Sequence, residues 1–278
     1  MATAAAIVAH YAVPVKPSPV VPVPAATLVL LRDATGGGVE TLLLQRHLES
    51  AFAAGDYVFP GGKVHADDNP EDAEAWCAGL AAAGAARVLG LEGDAGLAAL
   101  GYWIGAIRET FEEAGVLLAT RSDGAPARVD HPRFAEYRRA CQSDNRAFWS
   151  MLTSEGMRLM TDRLVYFAHW VTPDDLPLRF DTRFFAARMP HGQEASGDGR
   201  EVVQLRWLSP EDALEAHARK TLSLRFPTVK NLGLLVGAGS VADALHRLAA
   251  RTVRRVQPRV VLDNGTRRAE LPPDAGYD

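Results

Sequence analysis

Short apolar runs recur along the chain, and the punctuation between them changes from region to region. Residues 27–31 (TLVLL) and 39–44 (VETLLL) are rich in apolar and β-branched side chains and are separated by Gly36, Gly37 and Gly38. That pattern predicts a strand pair. Upstream, residues 13–24 (VPVKPSPVVPVP) alternate valine with proline. Proline removes backbone donors, so an extended lead-in is expected there and not a central strand. Residues 71–100 are rich in alanine and glycine with scattered acids, which predicts interrupted helix. A regular helix is predicted over 98–114 and can end at Gly115. Asp130 and Pro132 open the next helical stretch, with Asp130 as candidate cap, and a further helix is expected over 145–160.

Strand patterns return at 164–171 (LVYFAHWV), 183–188 (RFFAAR) and 202–207 (VVQLRW). In SPED, 209–212, Ser209 fits an N-cap, Pro210 the first helical position and Asp212 the third. Residues 229–236 and 241–249 read as helices, with GAGSVA (237–242) as the turn between them. Asn264-Gly265 lies between apolar runs and suits a hairpin. The alternation of strands and helices predicts one α/β (α+β) domain over about 25–250. Residues 1–24 form its lead-in and 251–278 its tail.

Composition narrows the function classes. The chain has 278 residues, 47% hydrophobic and 23% charged, with a net charge of −4. There is no basic excess to attract nucleic acid or an anionic membrane surface, and no apolar run of membrane-spanning length. The two cysteines, Cys77 and Cys141, form neither a disulfide framework nor a zinc motif. The apolar start MATAAAIVAHYAV lacks a charged leader, and AGYD at the end is no recognisable targeting address, so a cytoplasmic location is expected.

The chemistry concentrates in AIRETFEEAGVL, 106–117. At 100° per residue, Glu109, Glu112 and Glu113 fall within about 100° of arc, opposite Leu100, Ile104, Ile107, Phe111 and Ala114. Surface glutamates usually meet Lys or Arg four residues on. Here those positions hold Glu113, Val116 and Leu117. The carboxylates must be solvated, paired with Arg108, or holding a hard divalent cation such as Mg²⁺. Upstream, YVFPGGKVHADD (57–68) brings Pro60-Gly61-Gly62, where backbone can approach a ligand, and two further acids, Asp67 and Asp68.

These residues together resemble the Nudix box, G-x5-E-x7-R-E-U-x-E-E-x-G-U, where U is apolar. Gly62 matches its glycine, and Arg108, Glu109, Glu112, Glu113, Gly115 and Val116 match its second half. Asp68 stands where Glu is usual, Thr110 takes an apolar position, and an uninterrupted box would put the arginine at 76 and not 108, an insertion of 32 residues. The chain resembles the branch of Nudix hydrolases with a long insertion at this place, which includes coenzyme A diphosphatases of animal peroxisomes and bacterial relatives.

The resemblance implies an α/β/α sandwich with a mixed sheet. It implies hydrolysis of a nucleoside diphosphate linked to another group, with Mg²⁺ or Mn²⁺ as cofactor. Coenzyme A or an acyl derivative is the favoured substrate; ADP-ribose, NADH or another dinucleotide stays open, as does a non-catalytic nucleotide-binding module. Glu112 and Glu113 match metal ligands. Glu109 matches a further metal ligand or the group that deprotonates water, Gly62 a carbonyl contact to metal, and Arg108 the cation that orients the glutamates. Asp68, or the adjacent Asp67, supports that network. Glu194 and Glu201 are candidates for one more acid from a later loop, or are plain surface and sheet-edge glutamates. Arg46, Phe59, Gly61, Arg179 and Arg183 are candidate substrate contacts. Arg46 reads equally as a phosphate clamp or a salt-bridge partner, and Arg179 and Arg183 equally as pocket wall or structural network. The insert over about 69–101 fits a lid, a dimer contact or a substrate wall. A homodimer is the analogy that family members offer.

Overall fold

Side-chain alternation along β1 (Val23–Asp33) divides the molecule into two cores. Ala26, Leu28 and Leu30 pack on one side of the sheet, and Val29 and Leu31 on the other, all fully buried. A strand covered on both faces reads as a continuous apolar run, which is why TLVLL shows no polar alternation. The computed structural model describes residues 20–47, 55–200, 202–263 and 266–277.

The chain runs from β1 through β2 (Val39–Arg46), β3 (Tyr57–Val58), β4 (Gly61–Lys63) and a 3₁₀ turn (Ala66–Asp68) into the insert, which holds a second 3₁₀ turn (Ala73–Trp76), α1 (Ala82–Leu89) and α2 (Gly93–Leu97). Then follow α3 (Gly101–Ala114), β5 (Ala119–Arg121), α4 (Arg133–Cys141), α5 (Arg146–Glu155) and β6 (Met157–Leu159). The second half contains β7 (Val165–Val171), β8 (Phe180–Arg188), β9 (Val202–Leu208), α6 (Pro210–Ala218), α7 (Phe226–Gly233) and α8 (Val241–Ala249). It closes with β10 (Arg255–Val256), β11 (Arg259–Asp263) and β12 (Thr266–Glu270). The main sheet has the order β10-β7-β8-β1-β2-β3, with β4 also on β1 and β9 also on β2. β1–β8 and β10–β7 are parallel and the other pairs antiparallel. The core on the Ala26 side includes α3 and α5, and the other includes α6 and α8. This is the expected α/β/α sandwich around a mixed sheet.

Several local expectations hold at residue level. Leu100, Ile104, Ile107, Phe111 and Ala114 are all buried, and Gly115 ends α3 with φ +68°. Ser209 caps α6 by accepting the Asp212 N–H at 3.0 Å. GAGSVA is a turn, with Ser240 capping α8.

Others need correction. The central strand already begins at Val23, so Pro24 lies in it. It is tolerated one residue from the strand's start, where its carbonyl accepts the Val64 N–H. Residues 13–19 lie outside the described residues. Asp130 caps nothing: it pairs with Arg128, and Pro132 stands at the N-cap of α4. The helix over 145–160 stops at Gly156, φ +59°, and residues 157–159 form β6 against β5. PGGK is a short strand as well as a turn, because β1 pairs with it. β11 and β12 pair as the tail hairpin, and its Asn264-Gly265 turn lies outside the described residues.

Candidate active site

β4 and α3 bring the two halves of the acid motif together across the insert. The 3₁₀ turn Ala66–Asp68 begins at His65, whose N–H is accepted by Asp68 at 2.8 Å. That turn delivers Asp68, 1% exposed, to Arg108, also 1% exposed. Arg108 Nε and Nη2 donate to the two Asp68 oxygens at 2.6 and 3.0 Å. Its Nη1 donates to Glu109 and Glu112 at 3.0 and 3.1 Å, and Nη2 also reaches the Lys63 carbonyl at 3.0 Å. A guanidinium has five N–H groups, and these five contacts engage each of its nitrogens fully. Burial opposes the Arg108 charge, but the Asp68 hydrogen bond and the neighbouring carboxylates outweigh it and hold the group firmly protonated. Arg108 therefore orients carboxylates and has no donor left for a substrate.

Glu113 is held from the other side. Its Oε2 accepts the Gly61 N–H at 2.9 Å, and its Oε1 lies 3.5 Å from Arg46 Nη1 at the end of β2. Glycine is required at Gly61, where a Cβ would strike backbone, while at Gly62 it leaves room for the Glu109 side chain. A Cβ on Gly61 would come within 2.5 Å of the Ala26 carbonyl oxygen, and one on Gly62 within 2.5 Å of the Glu109 carboxyl. The Glu109 carboxyl thus rests where a side chain of residue 62 would be. Burial pushes that carboxyl up to about 7, with Arg108 pulling it down and Glu112 pushing it further up. Thr110 is fully buried and turns its hydroxyl to the Ala106 carbonyl at 2.7 Å, which reconciles a polar residue with an apolar position.

Four carboxylates, Asp68, Glu109, Glu112 and Glu113, here share two guanidiniums, Arg46 and Arg108. The donors are hard carboxylate oxygens beside a glycine backbone, which suit Mg²⁺ or Mn²⁺. Among the described residues, no three acidic or imidazole side chains already converge as a ligand set; Arg108 draws Glu109 and Glu112 to itself.

A model of the NUDT19 Nudix domain matches residues 4–235. The chain belongs to the Nudix family. Similar proteins include the acyl-coenzyme A diphosphatase NUDT19 of Gallus gallus, 30% identical, with 76% of this chain and 64% of that protein aligned. The Homo sapiens protein of the same name is 28% identical, covering 78% and 65% respectively. The chain spans less than two thirds of the length of these relatives. The crystal structure of a NUDIX hydrolase from Alicyclobacillus acidocaldarius superposes with a TM-score of 0.71 at 26% identity, covering 84% of this chain and 100% of that one. Nudix hydrolases generally use divalent metal ions.

The remaining expected site residues lie at varied distances from this Nudix box. Asp68, and not Asp67, is the acid that meets Arg108: Asp67 is exposed, and its carbonyl accepts the Trp149 indole N–H. Phe59 is a core residue, 3% exposed, on the face of the sheet away from α3. Arg179 and Arg183 are not at the carboxylates either. Arg179 ties Val20, Thr172 and Asp174 together, and Arg183 is buried with Asp181 and His169. For both, the structural-network reading describes the geometry. Glu194 is exposed on the loop after β8, and Glu201 lies outside the described residues. Arg138 of α4 and Gln142, which follows that helix, are contacts that the motif does not reveal. Both donate to the Glu112 carbonyl, at 2.7 and 3.1 Å, and no motif spacing links α4 to the box.

Among the described residues, no helix is long and apolar enough to cross a membrane.

Proposed function

We propose that this protein hydrolyses the diphosphate bond of coenzyme A or an acyl-coenzyme A, aided by Mg²⁺ or Mn²⁺. The observation that carries the reading is the gathering of Glu109, Glu112 and Glu113 beside the Gly61-Gly62 backbone, with Arg108 fully engaged in orienting carboxylates. The names of the relatives support the substrate. Glu109, Glu112, Glu113 and the Gly62 carbonyl are the groups that would hold the cation. When bound, it neutralises diphosphate charge and acidifies a water. Arg108 keeps Glu109 and Glu112 oriented, and Asp68 keeps Arg108 in place. Arg46 has 21% of its side chain exposed against 2% for Arg108, so Arg46 can meet a substrate phosphate and Arg108 cannot. Glu109 is the box acid that would take the water's proton where it does not itself hold the cation. Water's oxygen bonds to phosphorus, and the bridging P–O bond breaks with its electrons leaving on the second phosphate. Glu194 and Glu201 stand as the loop acids able to add a ligand or base.

The test is turnover of coenzyme A, acetyl-coenzyme A, ADP-ribose, NADH and diadenosine polyphosphates with Mg²⁺ or Mn²⁺, beside a Glu113→Gln variant, with products identified by mass. The expected result is 3′,5′-ADP with phosphopantetheine or its acyl form, and no turnover by the variant. Cleavage of ADP-ribose or NADH alone would move the substrate assignment. Tight binding of one nucleotide without turnover of any would favour the non-catalytic module.

A further inference from the structure

We propose that Arg138 and Gln142 are positioning residues that latch the loop of residues 189–200 to the C-terminal end of α3, fixing the box carboxylates and the acid-bearing loop in one register. The inference rests on the reading of Glu109, Glu112 and Glu113 as the cation site.

The last turn of a helix leaves carbonyls without intrahelical donors. In α3 two of them are taken from outside. Glu112 O accepts Arg138 Nε at 2.7 Å and Gln142 Nε2 at 3.1 Å, and Ala114 O accepts the Ser196 N–H at 2.9 Å. Cationic donors are favoured at this end of a helix. The same two side chains reach across to the loop. Arg138 Nη1 donates to Ser196 Oγ at 3.3 Å and to Gly197 O at 3.4 Å, while Gln142 Nε2 donates to Asp198 at 3.1 Å. Asp198 in turn accepts the N–H groups of Arg200 and Val202, each at 3.0 Å.

The other end of the loop is pinned by Gln193. Its amide accepts the Leu117 N–H and donates to the Leu117 carbonyl, both at 2.9 Å, and donates to Ala127 O at 3.0 Å. Glu194 is thus exposed on a segment held at both ends. Beside the latch an open cleft of about 400 Å³ is bordered by Phe111, Phe134, Arg138, Gln142, Ser196 and Asp198. Met189 and Ala195 of the loop pack against the α3-side core, and beyond them the segment next to α3 is placed by these directional hydrogen bonds. Their shared anchor is the carbonyl of Glu112, which lies between the other two box glutamates. A shift there moves the carboxylate array and the loop relative to each other.

Arg138→Gln and Gln142→Leu in the full chain test this, with Arg138→Lys as the conservative variant. Three quantities are read: the Mn²⁺ dissociation constant by electron paramagnetic resonance, the rate of tryptic cleavage after Arg200, and kcat and KM on the diphosphate that the wild type turns over. Loss of ligand-orienting groups typically costs about 10–100-fold in metal affinity or activity. We expect about tenfold weaker Mn²⁺ binding, faster cleavage after Arg200, and a fall in kcat with KM little changed, partly rescued in Arg138→Lys. A purely structural role would lower the melting temperature of Arg138→Gln while leaving Mn²⁺ affinity and kcat of the folded protein at wild-type values; that outcome overturns the proposal. If Arg138→Gln fails to fold, Gln142→Leu decides by the same readouts. Glu113→Gln separates the two levels. Undiminished Mn²⁺ binding in that variant would remove the cation-site reading, whereas the protease rates would still decide whether Arg138 and Gln142 hold the loop.

Discussion

Two buried ionic clusters lie on the α3 side of the sheet, and they differ in charge balance. The box cluster gathers four carboxylates around two guanidiniums. The second cluster lies under the first turn of α3, where Arg183 sits 5.1 Å from the centre of the Tyr102 ring and bonds to Asp181 and His169. His169 Nε2 is 2.7 Å from Asp181. There, one carboxylate meets one guanidinium, and burial first, with the Arg183 charge, keeps the imidazole neutral despite Asp181. Buried charge is costly unless compensated. The balanced cluster is complete in itself and reads as structure. The box cluster brings more carboxylates than guanidiniums to one place beside an approachable glycine backbone, and reads as a site. Charge balance separates two groups of residues that burial alone does not distinguish.

The largest effect is expected where the site's own compensation is removed. Arg108→Met leaves Asp68 buried without its partner and Glu109 beside Glu112 without the shared donor. Removing one partner of a buried pair costs about 3–5 kcal/mol. The variant should lose that much in chemical denaturation and all turnover; wild-type stability would mean that the carboxylates are not held by Arg108. Next comes Glu109→Gln, which removes a charge and keeps an acceptor for Arg108. The site predicts a fall in kcat of about 10²–10³-fold with the metal-free protein unfolding no more easily than wild type. A matching loss of stability would show Glu109 to be a structural acid, as Asp181 is. Arg183→Met should do the reverse. Leaving the Asp181 carboxylate, which is partly exposed, without its guanidinium should cost about 1–3 kcal/mol of stability. The kcat of the folded variant should stay within about threefold of wild type. A much larger kinetic loss would bring Arg183 back as a substrate contact.

The contrast also explains what the sequence could and could not reveal. The box helix was legible because a 3.6-residue period and a fixed motif fall on the same residues, from Leu100 through Gly115. Ser209 and Pro210 were legible because a cap is a local device. Asp68 was ambiguous with Asp67 because only the 3₁₀ turn after β4 decides which side chain turns inward. β6 was hidden by its length of three residues and by the helix preceding it. Arg179 and Arg183 read equally as pocket wall or structural network, because charge beside aromatics does not say which face of a strand is buried. Arg138 and Gln142 could not be found, since their contact with Glu112 joins positions 26 and 30 residues apart with no repeated spacing.

The smallest expected effect tests the balanced cluster by pH. His169 has its pKa lowered below the ordinary 6.5, chiefly by burial. The unfolded chain therefore binds a proton at this residue at a higher pH than the folded one does, and stability is lost as pH falls through and below about 6.5. Asp181, also lowered, contributes stability above its ordinary 3.8 and loses it only at more acidic pH. Glu109 runs the other way: its raised carboxyl contributes stability that is present below 4.5 and lost as pH rises through about 7. The two opposing slopes overlap, so the wild-type curve alone does not separate them. The difference between wild type and His169→Gln does. Between pH 7.5 and 5.5, denaturation midpoints of wild type should fall relative to those of the variant. Parallel curves would mean that the imidazole is as easily protonated in the fold as outside it, and the second cluster would then be no more self-contained than the first.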